Sequence, residues 1–449
     1  MTLAFRPDET NPLVATLLDD LRMDASHAID LAIDARDEML GFLIDAFEGD
    51  RERALFAYFR SGASIADSLG QVLRWRFGGW DRIGKVLDFA SGYGRVTRFL
   101  VRELPPERVW VSDVYADGVR FQEERFGVRG IVSTIRPEDF VCAERFDAIL
   151  VTSLFTHLPE ERFVAWLRVL LGLLTPGGML AFSVHSPEVL SPGLVMPESG
   201  ICFQETSESG SLAKSDYGST WVTEDFVRSA LERAVGPGSS LHRFPRGLCN
   251  FQDLCLAIPE PGVDFSGLDF HSEPHLFLER ARLAEGGRRL EIDGWAAVRS
   301  GSVRSVEVLL DGQRIATAPV AEPRPDVAAF LKDDRYLHTG WRCSCPLPPG
   351  VSHASAVLRL RVVDGRGIAH PLWVGSIQAA LLSGSRMEAD GLRVELMHAR
   401  EVQAEERRQA ASEIGGLRAR IAAMEASRFW KARNAWFRMK RGLGLTRET

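Results

Sequence analysis

Asp88 stands in the apolar run Val86-Leu87-Asp88-Phe89, which leads into the small-residue turn Ala90-Ser91-Gly92-Tyr93-Gly94 and then the helix-forming stretch Val96-Thr97-Arg98-Phe99-Leu100. A buried strand that passes through such a turn into a helix forms the ligand-facing corner of an open α/β sheet, because glycine lets the backbone turn sharply and approach a ligand closely. A bound dinucleotide would need a third glycine where Thr97 stands, and a carboxylate at Asp88 is unhelpful beside a pyrophosphate. That acid suits a ligand carrying an ammonium group and a sulfonium. A second acid, Asp113, ends the next apolar run, 19 residues after Gly94, where ribose hydroxyls are held in nucleotide-binding sheets. Two histidines follow later strands: His157 in Ser153-Leu154-Phe155-Thr156-His157-Leu158-Pro159, and His185 in Phe182-Ser183-Val184-His185-Ser186. Imidazole titrates near neutrality and can take a proton from a hydroxyl. Each histidine also has a structural reading, His157 as the cap of a helix starting near Pro159 and His185 as the closure of a loop. Tyr217-Gly218-Ser219-Thr220-Trp221 reads either as a lid or acceptor wall or as a surface loop.

The elements that must position these residues alternate. Val86–Phe89, Val109–Val111, Gly130–Val132, Ala148–Val151 and Met179–Phe182 read as buried strands, with helices over Val96–Glu103, Ala116–Phe126, Glu160–Leu174 and Thr223–Arg233. Strand–helix alternation predicts an α/β fold with a doubly wound, mostly parallel sheet. Residues 1–80 show helical spacing in Leu13, Leu17, Leu18, Leu21 and in Met39, Leu40, Leu43, Ile44, Phe47, with Asp24 or Ser26 as a cap. They read as a helical cover with no reactive constellation.

The stretch from Val86 to Leu100 resembles motif I of the class I S-adenosylmethionine-dependent methyltransferases, D/E-x-G-x-G-x-G, with Ala90 at the first glycine. Phe146–Val151 is similar to the strand-four motif, Leu174-Thr175-Pro176-Gly177-Gly178-Met179-Leu180 to the turn before strand five, and Gln252–Ala257 to the antiparallel last strand. The resemblance covers roughly residues 84 to 260 and implies S-adenosylmethionine as cofactor. It places Gly92 and Gly94 along the methionine half, Asp88 near the ammonium, Asp113 on the ribose hydroxyls, Ser133 and Thr134 near adenine, and Ser153 beside the methyl group. Ala90 is expected to fit its glycine position with a negative φ. Tyr93 reads equally as a site residue and as packing over the turn. His157 and His185 are the candidate general bases.

The second half changes texture. Leu276–Arg282, Arg289–Trp295, Val303–Leu310, Gln313–Pro319, Gly340–Pro346, Ala356–Val363 and His370–Val374 are short strand-like runs separated by Asp311-Gly312, Pro348-Pro349-Gly350 and Asp364-Gly365, the pattern of an antiparallel β-sandwich. Ile292-Asp293-Gly294-Trp295-Ala296, Arg324-Pro325-Asp326-Val327 and Gly340-Trp341 resemble a sandwich module appended to glycosyltransferases and methyltransferases of bacterial surface-polysaccharide clusters. Trp295 and Trp341 read as core rather than as sugar platforms. Ile414, Leu417, Ile421 and Met424 form a short coiled-coil seam through which the chain can pair with a second copy. Phe429/Trp430 and Trp436/Phe437 share a helical face ringed by Lys and Arg within residues 427–441, a pattern for an anionic membrane surface or a protein partner. The expected organisation is 1–80 helical cover, 81–262 methyltransferase domain, 268–380 β-sandwich and 385–449 coiled coil with a basic amphipathic tail.

Composition narrows the rest. The 449 residues are 45% hydrophobic and 26% charged, with a net charge of −7, which argues against a nucleic-acid-gripping body. Six cysteines without a CxxC pair point to neither a disulfide framework nor a metal site. The N-terminus lacks a signal-peptide pattern and the richest apolar stretch, Phe163–Leu174, carries Arg168, so the expected setting is cytoplasmic, with the tail able to reach the inner membrane face. The function expected is methylation of a sugar or glycan in surface-polysaccharide assembly. The alternatives are a methyltransferase-fold scaffold without catalysis and a small-molecule methyltransferase outside glycan metabolism.

Overall fold

The computed structural model describes Ala4–Phe5, residues 29–191, 193–206 and 212–382, and residues 436 and 438–440. The Leu13–Leu21 pattern, Asp24, Ser26 and the coiled-coil seam lie outside the described residues, as does most of the basic tail. Residues up to Leu381 form one compact unit.

Its centre is a seven-stranded sheet of β3 (Val86–Phe89), β4 (Val109–Asp113), β5 (Arg129–Val132), β6 (Phe146–Val151), β7 (Leu174–Val184), β10 (Ser240–Leu248) and β11 (Gln252–Ile258), in the order β10-β11-β7-β6-β3-β4-β5. Strands β3 to β7 run parallel, and β11 is antiparallel to both β7 and β10. The central strands are continuous apolar runs because both faces are covered. Successive residues of β6 alternate between two cores, Ala148 and Leu150 entering one and Ile149 and Val151 the other. Strand β5 differs from its expectation as a buried strand: it lies at the sheet edge, and Val132 is 52% exposed.

The N-terminal segment is more than a cover. It brings β1 (Ala4–Phe5) and β2 (Ile33–Asp34), which pair, then helices α1 (Glu38–Ala46) and α2 (Arg51–Phe77). Asp37 caps α1, its Oδ1 accepting from Met39 N and Leu40 N. Ile65, Leu69, Val72 and Leu73 of α2 enter the same core as Leu254, Leu256 and Ile258 of β11. Arg98 is 1% exposed, packs over the rings of Tyr58, Phe59 and Phe126, and donates to Asp30 O, Ala32 O and Gly94 O. It thereby ties the N-terminal segment to the turn after β3.

The helices over the sheet are α3 (Thr97–Glu103), α4 (Ala116–Phe126), α5 (Glu160–Gly172) and α6 (Glu224–Val235), the last capped by Thr223. A two-stranded sheet of β8 (Ile201–Gln204) and β9 (Ser219–Val222) and the edge strand β10 were not expected from the sequence. Beyond the sheet, β12 (His275–Ala284), β13 (Arg289–Ala297) and β16 (Gly340–Pro346) form one antiparallel sheet. Strands β14 (Val303–Leu310), β15 (Gln313–Pro319), β17 (Val357–Asp364) and β18 (Ala369–Ser376) form another. The two sheets share one core around Trp341, Leu290, Val306 and Leu360, the arrangement of a sandwich. Trp341 is 1% exposed and Trp295 is buried against Phe277 and α7 (Pro325–Leu331), so both tryptophans are core.

Candidate active site

The C-terminal ends of β3, β4, β6 and β7 open on one cavity of about 620 Å³. Asp88, Ala90, Gly92, Tyr93, Asp113, Ser133, Thr134, Ser153, His157 and His185 all line it; Gly94 does not. Gly94 has φ +79°, and a Cβ there would meet Phe126 at 2.4 Å and Gln122 at 2.9 Å. Its role is to let α4 pack against the turn. Ala90 does not keep a negative φ: it sits at +59°, in the left-handed region that costs a residue with a Cβ about 1–2 kcal/mol. Tyr93 both lines the cavity and packs in the core, with the Arg36 guanidinium over its ring.

The polar atoms at this end belong to strand termini. Asp113 Oδ2 accepts from Gly92 N at 2.7 Å and Oδ1 from Tyr115 N at 3.0 Å. Burial nevertheless holds its carboxyl above the ordinary range. Asp88 is 1% exposed; its Oδ2 takes a bond from Thr97 at 2.7 Å, while Oδ1 is buried with no partner. Burial pushes its carboxyl up to about 7. Ser133 N donates to Asp113 O, and the Thr134 hydroxyl donates to Arg136 O. Arg95 lines the cavity, donates to Ser61 Oγ at 2.8 Å and has no carboxylate partner among the described residues. A guanidinium that lines the cavity is a ready partner for an anionic ligand group.

The other end is made of rings and loops. His157 does not cap α5, whose N-cap is Pro159 without a side-chain bond. Its Nδ1–H donates to Gly218 O at 2.6 Å, which fixes the neutral tautomer with the proton on Nδ1. Nε2 then presents a lone pair, and the ring stacks on Tyr217 at 4.3 Å. Burial lowers the His157 pKa. His185 lies 6.4 Å away, ring to ring; both its nitrogens are buried without a partner, and burial brings it down to about 4. Tyr217 to Trp221 is a wall rather than a loose loop: Gly218 N donates to His157 O and Thr220 N to Thr156 O. Ser153, at φ +65°, is held by its N–H on Ser183 Oγ and by its hydroxyl against the Gln252 amide. The α1 side chains Met39, Phe42 and Leu43 close the cavity, a contribution the sequence reading missed along with Arg95 and Gln122.

A family model described as a methyltransferase domain matches residues 87–180. Residues 87–180 therefore carry a methyltransferase domain. No curated protein matches the sequence. Among solved structures it is similar to an S-adenosylmethionine-dependent methyltransferase from Clostridium acetobutylicum, with 14% identity over 44% of this chain and 92% of that one and a TM-score of 0.32. It is also similar to DesVI of Streptomyces venezuelae, with 17% identity, 49% and 98% coverage and a TM-score of 0.35. A third is the sugar N-methyltransferase KedS8 from Streptoalloteichus, with 16% identity, 53% and 99% coverage and a TM-score of 0.36. At these values none of the three assigns a substrate or a residue role. The residues present fit the cofactor. The buried, unpartnered Asp88 Oδ1 awaits a donor, the Asp113 carboxylate has lone pairs to spare, and a Cβ built on Gly92 meets only open space.

Proposed function

We propose that this protein methylates a hydroxyl group of a sugar or glycan, with His157 as the general base. When bound, S-adenosylmethionine supplies a methyl group on a cationic sulfonium. Asp88 would hold its ammonium, Arg95 its carboxylate, Asp113 its ribose, and Ser133 and Thr134 its adenine. The remaining work is to align the acceptor, exclude water and remove one proton. An acceptor hydroxyl placed at His157 Nε2 would give its proton to that nitrogen. The anchored Nδ1–H on Gly218 O carries this assignment, since it leaves Nε2 basic in the cavity that also holds Asp88 and Asp113. His185, with two unpartnered nitrogens, suits a second hydroxyl on the same ring, which favours a polyol over a simple alcohol.

The resemblance of the sandwich supports surface-polysaccharide assembly as the setting, in the cytoplasm and at the inner membrane face. No described helix is long and apolar enough to cross a membrane. The basic aromatic tail suits anionic headgroups or a protein partner, and the seam at Ile414–Met424 suits pairing with a second copy. The test is transfer of labelled methyl from S-adenosylmethionine by the full-length protein to a panel of nucleotide sugars, with the methyl position read by NMR. Methylation of an amine in preference to every hydroxyl would overturn the oxygen chemistry. Equal pelleting on anionic vesicles with and without residues 427–449 would remove the membrane role.

A further inference from the structure

The contact of Thr97 in the cofactor end of the cavity has one proton too few. Its Oγ1 lies 2.7 Å from Asp88 Oδ2 and 2.7 Å from Gln122 Oε1. The Gln122 amide cannot be turned round. Its Nε2 lies 2.9 Å from Gly92 O and from Ser91 Oγ and 3.3 Å from Gly118 O, so exchanging N and O would set a carbonyl oxygen against two backbone carbonyls. Oε1 is therefore an acceptor, and it faces Thr97. A threonine hydroxyl carries one proton. If Thr97 gives it to Asp88, a buried amide oxygen is left against a lone pair, an unmade bond. If Thr97 gives it to Gln122, the 2.7 Å contact with Asp88 requires a second proton, and only the Asp88 carboxyl can carry it.

The second arrangement satisfies every atom except Asp88 Oδ1. The charged groups around Asp88 do not oppose it. Strand β4 brings Asp113, which disfavours a second negative charge, and the turn brings Arg95, which favours one. Helices α3 and α4 bring only Thr97 and Gln122. Burial dominates, and the carboxyl titrates near 7 rather than near 4. His157 and His185 share the cavity, but burial lowers both pKa values, so each ring stays neutral to a pH below the ordinary imidazole range.

We propose that Thr97 and Gln122 are positioning residues that store a proton on Asp88 in the cofactor-free protein, and that Asp88 gives up this proton when the cofactor's ammonium is held beside it. The inference rests on the placement of that ammonium at Asp88. The proton goes to solvent, and the carboxylate then pairs with the cation. Cofactor affinity consequently rises with pH, by up to about tenfold per unit, until Asp88 is ionised without help, and is flat above that point.

Calorimetric titration of the full-length protein with S-adenosylhomocysteine, in buffers of different ionisation enthalpy, counts the protons released. Close to one proton per cofactor is expected at about pH 6 and close to none at about pH 8.5. Asp88→Asn should release none at either pH. Gln122→Met frees the Thr97 proton for Asp88, lowers the carboxyl's pKa and reduces the release at pH 6. A wild-type protein that binds without releasing protons at pH 6, or an Asp88→Asn variant with the wild-type count, overturns the proposal. Infrared difference spectra of the wild type need no variant: a protonated-carboxyl band should vanish when S-adenosylhomocysteine is added at pH 6, and a band that persists is equally decisive against it. Absence of any binding heat strikes at the cofactor site itself, a failure distinct from a wrong proton count.

Discussion

At the cofactor end of the cavity, the polar atoms belong to strand termini and to the backbone of a single turn. Asp88 and Asp113 lie at the ends of β3 and β4, and Gly92 N donates to Asp113 Oδ2. At the acceptor end they belong to side chains on loops: His157 anchored 61 residues away on Gly218, and Ser153 held by Gln252 from 99 residues away. The backbone differs too. Around the acceptor, Ser153, Arg246, Cys249 and Asn250 all take positive φ without being glycine, whereas at the cofactor turn Ala90 is the exception beside Gly92 and Gly94. One end is thus set by a sheet that the core fixes in place. The other is assembled from separate segments and carries several strained joints. On the proposed reading, specificity for an acceptor would reside in the part of the molecule that the sheet constrains least.

Removing His157 should separate the two ends most sharply. His157→Ala is expected to lower kcat by about 10²–10⁴-fold while S-adenosylhomocysteine binds as before. A loss of cofactor affinity of similar size would merge the two ends into one unit. Because burial lowers the His157 pKa, the base stays deprotonated through neutrality. The acid limb of kcat against pH should lie below 6.5, and a limb above 7 would assign the proton to another group. Next in size, Asp113→Ala should weaken S-adenosylhomocysteine binding tenfold or more, through bonds worth roughly 1.5–3 kcal/mol to a charged partner. Unchanged affinity in calorimetry removes Asp113 from the ribose. Arg95→Gln should cost about tenfold in binding of S-adenosylhomocysteine and nothing in binding of its decarboxylated analogue. If Arg95 serves the acceptor instead, both ligands will bind as they do to the wild type and the acceptor KM will rise. The smallest effect is expected at the turn. Ala90→Gly relieves a left-handed alanine but frees the unfolded chain, for a net gain of about 0.5 kcal/mol in stability, read as a rise in the urea midpoint.

The contrast also governs what the sequence discloses. Strands β3 to β7, the turn between Asp88 and Gly94 and the acid at Asp113 are local patterns, each complete within a few neighbours, and the structure places them within a residue or two of the expected limits apart from the longer β7. Val303–Leu310 and Gly340–Pro346 match to the residue for the same reason, alternation between turn signals. Strand β10 escaped because Pro245 and Gly247 break its pattern, as an edge strand tolerates. The Gly218 anchor, the Gln252 brace and the Met39–Leu43 wall have no local signature, since nothing near His157 or Ser153 in the chain announces which distant carbonyl or amide will reach them. The φ of Ala90 was hidden for a different reason: alanine gives no sign of a left-handed backbone, and its neighbours Ser91 and Gly92 allow either hand.

The shared core of α2 and β11 has a consequence in time. The chain is made from its N-terminus, so Ile65, Leu69, Val72 and Leu73 leave the ribosome long before Leu254, Leu256 and Ile258, which join them in one core. At ordinary elongation rates that interval is on the order of 10–40 s. Throughout it, an apolar helix face waits for a partner that has not yet been synthesised.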